Sequence, residues 1–514
     1  MRDDLEAKLR ATEERVFASD ARMVDRQHAE GKLTARERVD RLLDPGSFVE
    51  EFMLAETQVT DFGMAERRLP TDGVVTGYGT VNGRPIYVFA QDRTVLQGAV
   101  GQAHAEKIAY VIHTACKVGV PVVGLYDSVG ARIQEGLDVT KAIGKVFYAN
   151  SIASGVVPQI SAIMGPCIGV ASYSPALTDF IFMVRGTSQM FITGPGVIKE
   201  VTGEDVTMED LGGAKVHSES SGCADVVAAN DDECLASIRR LLSFLPSSCA
   251  APVPSLAGQD DPDRLVEDLE TVVPAESRKS YNILNVIKRL VDGGDFFEIK
   301  PRFARNMAVG FGRMDGRTVG FVANQPNWFA GAIDVDASDK AARFIRFCDA
   351  FNIPIITLVD VPGFMPGVAQ EKNGIIRHGA KMLFAYSEAT VPKITLYLRK
   401  GYGGAKQAMC TREMGADQLF VWPGVELAVM GAEGAVNVLY RREIEGAADP
   451  EATRKQKVAE FNERFSGPFD ALSKQFAHGV IRPAETRRRL IRSLRMLADK
   501  HEDRPRKKHS VMPV

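Results

Sequence analysis

Ile108, Val111, Ile112, Ala115 and Cys116 recur at i, i+3, i+4, i+7 and i+8, one apolar face of a helix. The run that follows, VPVVGLYDS (120–128), is short and almost wholly apolar and predicts a buried strand. The same pair of patterns returns later in the chain. Ala341, Phe344, Ile345 and Cys348 mark a second helix, with Asp336 and Ser338 placed to cap it, and IPIITLVDV (353–361) follows as a strand. Asn82-Gly83 and Asp315-Gly316 are favoured two-residue hairpin turns, each leading into a β-rich run. In each half a further helix precedes a strand that ends in glycines, MGPCIG (164–169) and RKGYGG (399–404). Short apolar strands alternating with helices predict an α/β fold with mostly parallel, buried sheet.

These patterns repeat because the chain contains itself twice. RVDRLLDPGSFVEE (38–51) matches VIKRLVDGGDFFEI (286–299) at an offset of 248. At an offset of 233, GTVNGRPIYVFAQD (79–92) matches GRMDGRTVGFVANQ (312–325), and Lys107, Pro121, Asp127 and Gly130 fall on Lys340, Pro354, Asp360 and Gly363. One residue more aligns VPQISAIMGPCIGVA (157–171) with VPKITLYLRKGYGGA (391–405). The segment 245–263, rich in Pro, Ser and Asp, reads as a linker, so two domains are expected at 1–255 and 270–505.

Composition narrows the partners. With 514 residues and a net charge of −3, the chain has no overall basic field for nucleic acid or an anionic membrane, and its basic end, 504–509, reads as a solvated tail. The seven cysteines show no CxxC spacing, which disfavours a disulfide framework or zinc site and favours a reducing, cytoplasmic setting. The N-terminal stretch MRDDLEAKLRATEERV is charged and helical in pattern, without signal-peptide features. Residues 151–178 carry no charge, but Pro158, Pro166 and Pro175 would strand backbone groups in lipid. That stretch predicts a helix end, a strand and a loop rather than membrane insertion.

A glycine turn between strand and helix leaves backbone N–H groups at the helix start, suited to negative charge. Neither turn is a phosphate loop of the GxxxxGK[ST] or GxGxxG kind, so an oxyanion fits better. Side chains for ordinary catalysis are scarce: no GxSxG elbow, no HExxH and no metal-ligand cluster occurs. Asp127 and Asp360 end equivalent strands and are read either as site residues or as loop-fixing groups. Cys167 lacks an evident basic partner and reads as packing, and His113 as an ordinary helical histidine. Backbone donors without acid–base side chains suit a reaction whose reagent brings its own base.

Taken with LPTDGVVTGYGTVNGRPIYVFAQD, DSVGARIQEG, MFITGPGVIKEVTGED and WPGVELAVMGAEGAV, these segments resemble the carboxyltransferase (β) subunit of biotin-dependent acyl-CoA carboxylases, the propionyl-CoA branch most of all. The resemblance implies two tandem crotonase-like domains. The N-terminal one would hold acyl-CoA and the C-terminal one carboxybiotin, borne on a separate biotin carboxylase/carrier subunit. A homohexamer without a metal is implied, with N- and C-domains of different subunits face to face. Family positions carried over make the amides of Gly169 and Val170 donors to the thioester oxygen, and those of Gly404 and Ala405 donors to the ureido oxygen. Gly403, Lys406, Gln407, Arg93 and Gln97 would line the substrate site. Val170 stands where the family has a second glycine, Lys406-Gln407 replaces Tyr-Asp, and Arg93 replaces an aromatic. Arg93, Lys406 and Gln407 suggest an acyl group more polar than propionyl, and Val170 a narrower or reshaped acyl pocket. The same resemblance leaves open a membrane-coupled decarboxylase subunit and a non-catalytic paralogue. A single-domain crotonase-type hydratase or isomerase fits less well, because both domains are kept.

Overall fold

Asn82 and Gly83 (φ 51° and 75°) and Asp315 and Gly316 (φ 56° and 74°) adopt the left-handed pairs that a tight hairpin demands. The computed structural model describes residues 2–513 apart from Ser19, Arg68, Leu69, Ala257, Gln259, Ser277, Arg278 and Ser466. It divides into two compact units, Met1–Pro252 and Val253–Val514.

The first unit is built on strands β1 (Val49–Glu51), β2 (Val74–Val81), β3 (Arg84–Gln91), β4 (Val122–Ser128), β5 (Gln159–Ile168), β6 (Phe180–Val184), β7 (Gln189–Phe191) and β8 (Val226–Ala228). Their order is β1-β2-β3-β4-β5-β6-β8, with β7 also paired to β5. The hairpin edge is antiparallel and everything from β3 onward is parallel. The second unit repeats the plan with β9 (Phe296–Ile299), β10 (Met307–Met314), β11 (Arg317–Asn324), β12 (Ile355–Val361), β13 (Lys393–Tyr402), β14 (Gln418–Val421), β15 (Glu426–Ala428) and β16 (Gly479–Val480). Its order is β16-β14-β13-β12-β11-β10-β9, with β15 paired to β13. Two tandem crotonase-like α/β domains are thus present.

The predicted helical faces are the buried ones. Ile108, Val111, Ile112 and Ala115 of helix Gln102–Val118 join Val122, Tyr126 and Ile163 in one core. Ala341, Phe344, Ile345 and Cys348 of helix Val335–Ala350 are likewise buried. The cap of that helix differs from expectation. Asp334 accepts from the Ala337 amide at 2.8 Å, whereas Asp336 and Ser338 lie inside the helix. Ile333 still bridges Phe364 in an extended conformation, so Asp334 is the first residue free to cap. The uncharged stretch 151–178 resolves into a helix end at Ala153, β5, and a 3-10 turn leading to helix Tyr173–Ala176. Within the segment read as a linker, Leu245 is buried and the Leu256 amide donates to Gly316 O at 2.9 Å. Among the described residues no helix is long and apolar enough to cross a membrane.

Gly165 shows how tightly the first sheet is filled, since a Cβ there would sit 2.1 Å from Asp127 Oδ1. Gly165→Ala is expected to lower stability by about 1–3 kcal/mol through overpacking. Gly144→Ala, where nothing lies within 4 Å, serves as the control in urea unfolding.

Candidate active site

Because β3, β4 and β5 run parallel and adjacent, the turns that follow them share one edge of the sheet, where ligands of α/β folds collect. After β3, Leu96, Gln97 and Gly98 are all left-handed (φ 47°, 56° and 70°), and a Cβ on Gly98 would meet Asp127 O at 2.1 Å. After β4, Gly130 (φ 103°) presses toward Ile168 O, and after β5 comes Gly169 (φ 66°). The second unit repeats each feature. Phe329, Ala330 and Gly331 are left-handed (φ 49°, 53° and 81°), Gly331 abuts Asp360 O, and Gly363 and Gly403 (φ 152° and 58°) follow. Sequence reasoning missed the three-residue left-handed turns. Their signal was available in the Gly-Ala pairs 98–99 and 331–332, which stand at the same 233-residue spacing.

Gly169 and Val170 are partly exposed, Gly404 is exposed and Ala405 is buried. No side chain caps either turn among the described residues. The space a Cβ would occupy at Gly404 is empty to 4 Å, so a ligand oxygen can approach the backbone there. The two pairs chosen from the sequence are not strict counterparts. The left-handed glycines match each other, Gly169 with Gly403, so Val170 is the counterpart of Gly404 and Ala171 of Ala405. Helix Gly403–Ala408 has six residues, and the first turn continues only as a 3-10 segment and a four-residue helix. Individual N–H groups, rather than a long aligned dipole, are what the turns present.

The aspartates hold this edge together. Asp127 Oδ2 accepts from Arg38 Nη1 at 3.1 Å and Lys32 Nζ at 3.5 Å, and its amide donates to Gln91 Oε1 at 3.1 Å. Arg38 also reaches Asp231 Oδ2 at 2.8 Å and Met164 O at 2.9 Å. Asp360 Oδ2 accepts from Arg399 Nε at 3.0 Å, and its amide donates to Asn324 Oδ1 at 3.3 Å. Burial pushes both carboxyl pKa values up while the adjacent cations pull them down. Both residues are buried scaffold, which decides for the loop-fixing reading. Cys167 is buried, with its thiol pKa pushed up by burial, as a packing residue should be. His113 lines an outer cleft with Lys141, Lys145 and Tyr148.

The expected pocket residues divide between the units. Arg93 Nε lies 3.6 Å from Asp127 Oδ1 and its Nη1 is 3.5 Å from Gln97 O, so its charge turns inward, while Gln97 is exposed. Lys406 Nζ sits 4.9 Å from the Phe476 ring centroid, in a mainly apolar cavity of about 660 Å³ that also includes Val429 and Val438. Burial lowers its pKa, and Gln407 is exposed. A second cavity in that unit, about 620 Å³, is lined by Ala330, Pro362, Lys400, Tyr402, Glu426 and Gly431. Among the described residues no group of three or more His, Cys, Asp or Glu side chains is gathered for a metal ion.

Tandem crotonase-like units with paired main-chain turns fit a carboxyltransferase. The chain belongs to the carboxyl transferase domain family, which it matches over residues 26–512. It is 54% identical over 488 residues to the propionyl-CoA carboxylase carboxyltransferase subunit of Haloferax mediterranei, covering 95% of each chain. It is 53% identical over 491 residues to the methylmalonyl-CoA decarboxylase α subunit of Propionigenium modestum, covering 96% of this chain and 95% of that one. Among solved structures it superposes with a TM-score of 0.97 and 49% identity on a transcarboxylase 12S hexameric core with methylmalonyl-coenzyme A bound, covering 100% of this chain and 98% of that one.

Arg38→Met would leave Asp127 and Asp231 buried without their shared cation. Chemical denaturation is expected to show a loss of about 3–5 kcal/mol, the cost of breaking a buried pair from one side.

Proposed function

We propose that this chain transfers a carboxyl group from carboxybiotin on a partner carrier subunit to the α-carbon of a short, propionyl-like acyl-CoA. The observation that carries the proposal is the doubled turn with unlike flanks. Pro166, Ile168 and Val170 surround the first, which suits an apolar acyl thioester. Lys400, Tyr402 and Gly404 surround the second, which suits a polar carboxylated urea. The N-terminal domain (1–255) accordingly takes acyl-CoA and the C-terminal domain (270–505) takes carboxybiotin.

The open backbone at Gly404 fits a ureido oxygen, since no side chain blocks its approach. Carboxybiotin, when bound, supplies the carboxyl group and the base for the α-proton. The protein's task is to steady charge. The amides of Gly169 and Val170 hold the thioester oxygen as it becomes an enolate, and those of Gly404 and Ala405 hold the ureido oxygen. One such donor typically contributes about 3 kcal/mol of barrier lowering. Arg93 faces Asp127 and Lys406 faces Phe476, while Gln407 is exposed. Val170, with its side chain beside the first turn, favours a short acyl chain.

Assembly into a homohexamer accords with exposed apolar side chains in both units: Ile192 and Val201 in the first, Val429, Val438 and Leu439 in the second. A second reading, decarboxylation in a membrane-coupled complex, is favoured by the similarity to the methylmalonyl-CoA decarboxylase α subunit. The same donors serve the transfer in either direction, and partner subunits set which one runs.

Gly404→Val is expected to fold, because its site has room and an ordinary φ, yet to lose about 10²–10³-fold in transfer from a carboxybiotinylated carrier. Near-normal turnover in that variant defeats the assignment. In an acyl-CoA panel assayed with the cognate carboxylase and carrier, propionyl-CoA is expected to lead. A longer chain or a polar acyl group in first place would redirect the substrate assignment.

A further inference from the structure

The repeat supplies its own control for what the second turn needs beyond the fold. β7 meets β5 through Pro166–Gln189 and Ile168–Phe191, and β15 meets β13 through Lys400–Glu426 and Tyr402–Ala428. The rungs correspond one to one, but the side chains do not. In the second unit the Tyr402 hydroxyl donates to Glu426 Oε2. In the first, Ile168 has no hydroxyl, and Gln189 turns to Glu209 at 3.4 Å. A left-handed glycine follows in both cases, so the turn forms without the phenol–carboxylate link.

Tyr402 directly precedes Gly403, and its ring also meets the start of helix Ala432–Leu439: a Cβ on Gly431 would lie 3.5 Å from Tyr402 Cε2. A Cβ on Gly403 would lie 3.3 Å from Val429 O, at the exit of β15. The link therefore ties together the three segments that frame the second turn. Tyr402 and Glu426 both line the 620 Å³ cavity at the strand ends. Burial, reinforced by Glu426, pushes the phenol pKa well above its ordinary value, so the hydroxyl keeps its proton and remains a donor.

We infer that Tyr402, held by Glu426, is a positioning residue for the second turn, fixing the Gly404 and Ala405 amides for the biotin-side reactant and leaving acyl-CoA binding untouched. This rests on the assignment of that turn to carboxybiotin. The test is steady-state carboxyl transfer by the full chain, with carboxybiotinylated carrier protein and propionyl-CoA as substrates. Tyr402→Phe and Glu426→Ala should each lower kcat about tenfold, as loss of fixed geometry does. KM for propionyl-CoA should stay within about twofold, and the double variant should lose no more than either single. Glu426→Gln, whose amide oxygen can still accept from the phenol, should recover most of the loss, and the melting temperature should not move. The inference is overturned if the single variants stay near wild type, if their losses multiply, if Gln fails like Ala, if KM for propionyl-CoA rises in step, or if Tm falls with activity. Gly404→Val separates the two levels. If it abolishes transfer while Tyr402→Phe does not, only the positioning role fails; if it too is active, the assignment of the turn fails with it.

Discussion

Each unit is organised around one buried carboxylate at the end of its central parallel strand. Asp127 and Asp360 each anchor a backbone amide to the preceding strand through Gln91 or Asn324. Each also offers a carbonyl against which a left-handed glycine, Gly98 or Gly331, is packed. A charge so deeply buried is tolerable only beside a cation, and the units meet that need differently. The first uses Arg38 and Lys32, brought from far along the chain, and keeps Gly165 small to make room. The second places Arg399 on the neighbouring strand, where it also holds the carbonyls of Glu276 and Lys279. Two unlike solutions around an equivalent aspartate indicate that the position of the carboxylate, rather than any one partner, is what the edge requires.

Other parts of the edge follow the same economy. Lys107 and Lys340, aligned by the repeat, spend buried ammonium groups on main-chain carbonyls: Thr71 and Val74 in one unit, Lys300 and Phe303 in the other. Burial pulls the Lys107 pKa down to about 8, so its charge is maintained at a cost. The outcome is a rim of left-handed turns that, on the proposed function, presents its N–H groups before any reactant arrives. Preorganised donors need no reorganisation as charge develops, which is where such sites gain most of their rate.

A doubled scaffold with different flanks suits a reaction between two reactants that both carry developing negative charge. On the proposed function, apolar neighbours beside Gly169 and polar neighbours beside Gly403 separate the roles without changing the backbone device. On the same proposal the carboxylated urea brings its own base, so neither turn is asked to supply an acid–base side chain. Arg93, a cation near a candidate pocket in the sequence, is in the fold a third charge facing Asp127.

The repeat, the α/β class, the hairpin turns, the helical faces and the glycine turns were all legible in the sequence, because each depends on spacing, on periodicity or on the steric freedom of glycine. Local order alone did not reveal the three-residue left-handed turns, since Leu96, Gln97, Phe329 and Ala330 carry no intrinsic preference for that conformation and adopt it under tertiary constraint. Nor could it say that Asp334 rather than Asp336 caps a helix, a choice made by the Ile333–Phe364 bridge. The partners of Asp127 lie 89 and 95 positions away, and the Tyr402–Glu426 link depends on which strands become neighbours. Sequence determined which segments could be strand, helix or turn; only the assembled sheet decided which charges meet, because burial and proximity are properties of the packed chain.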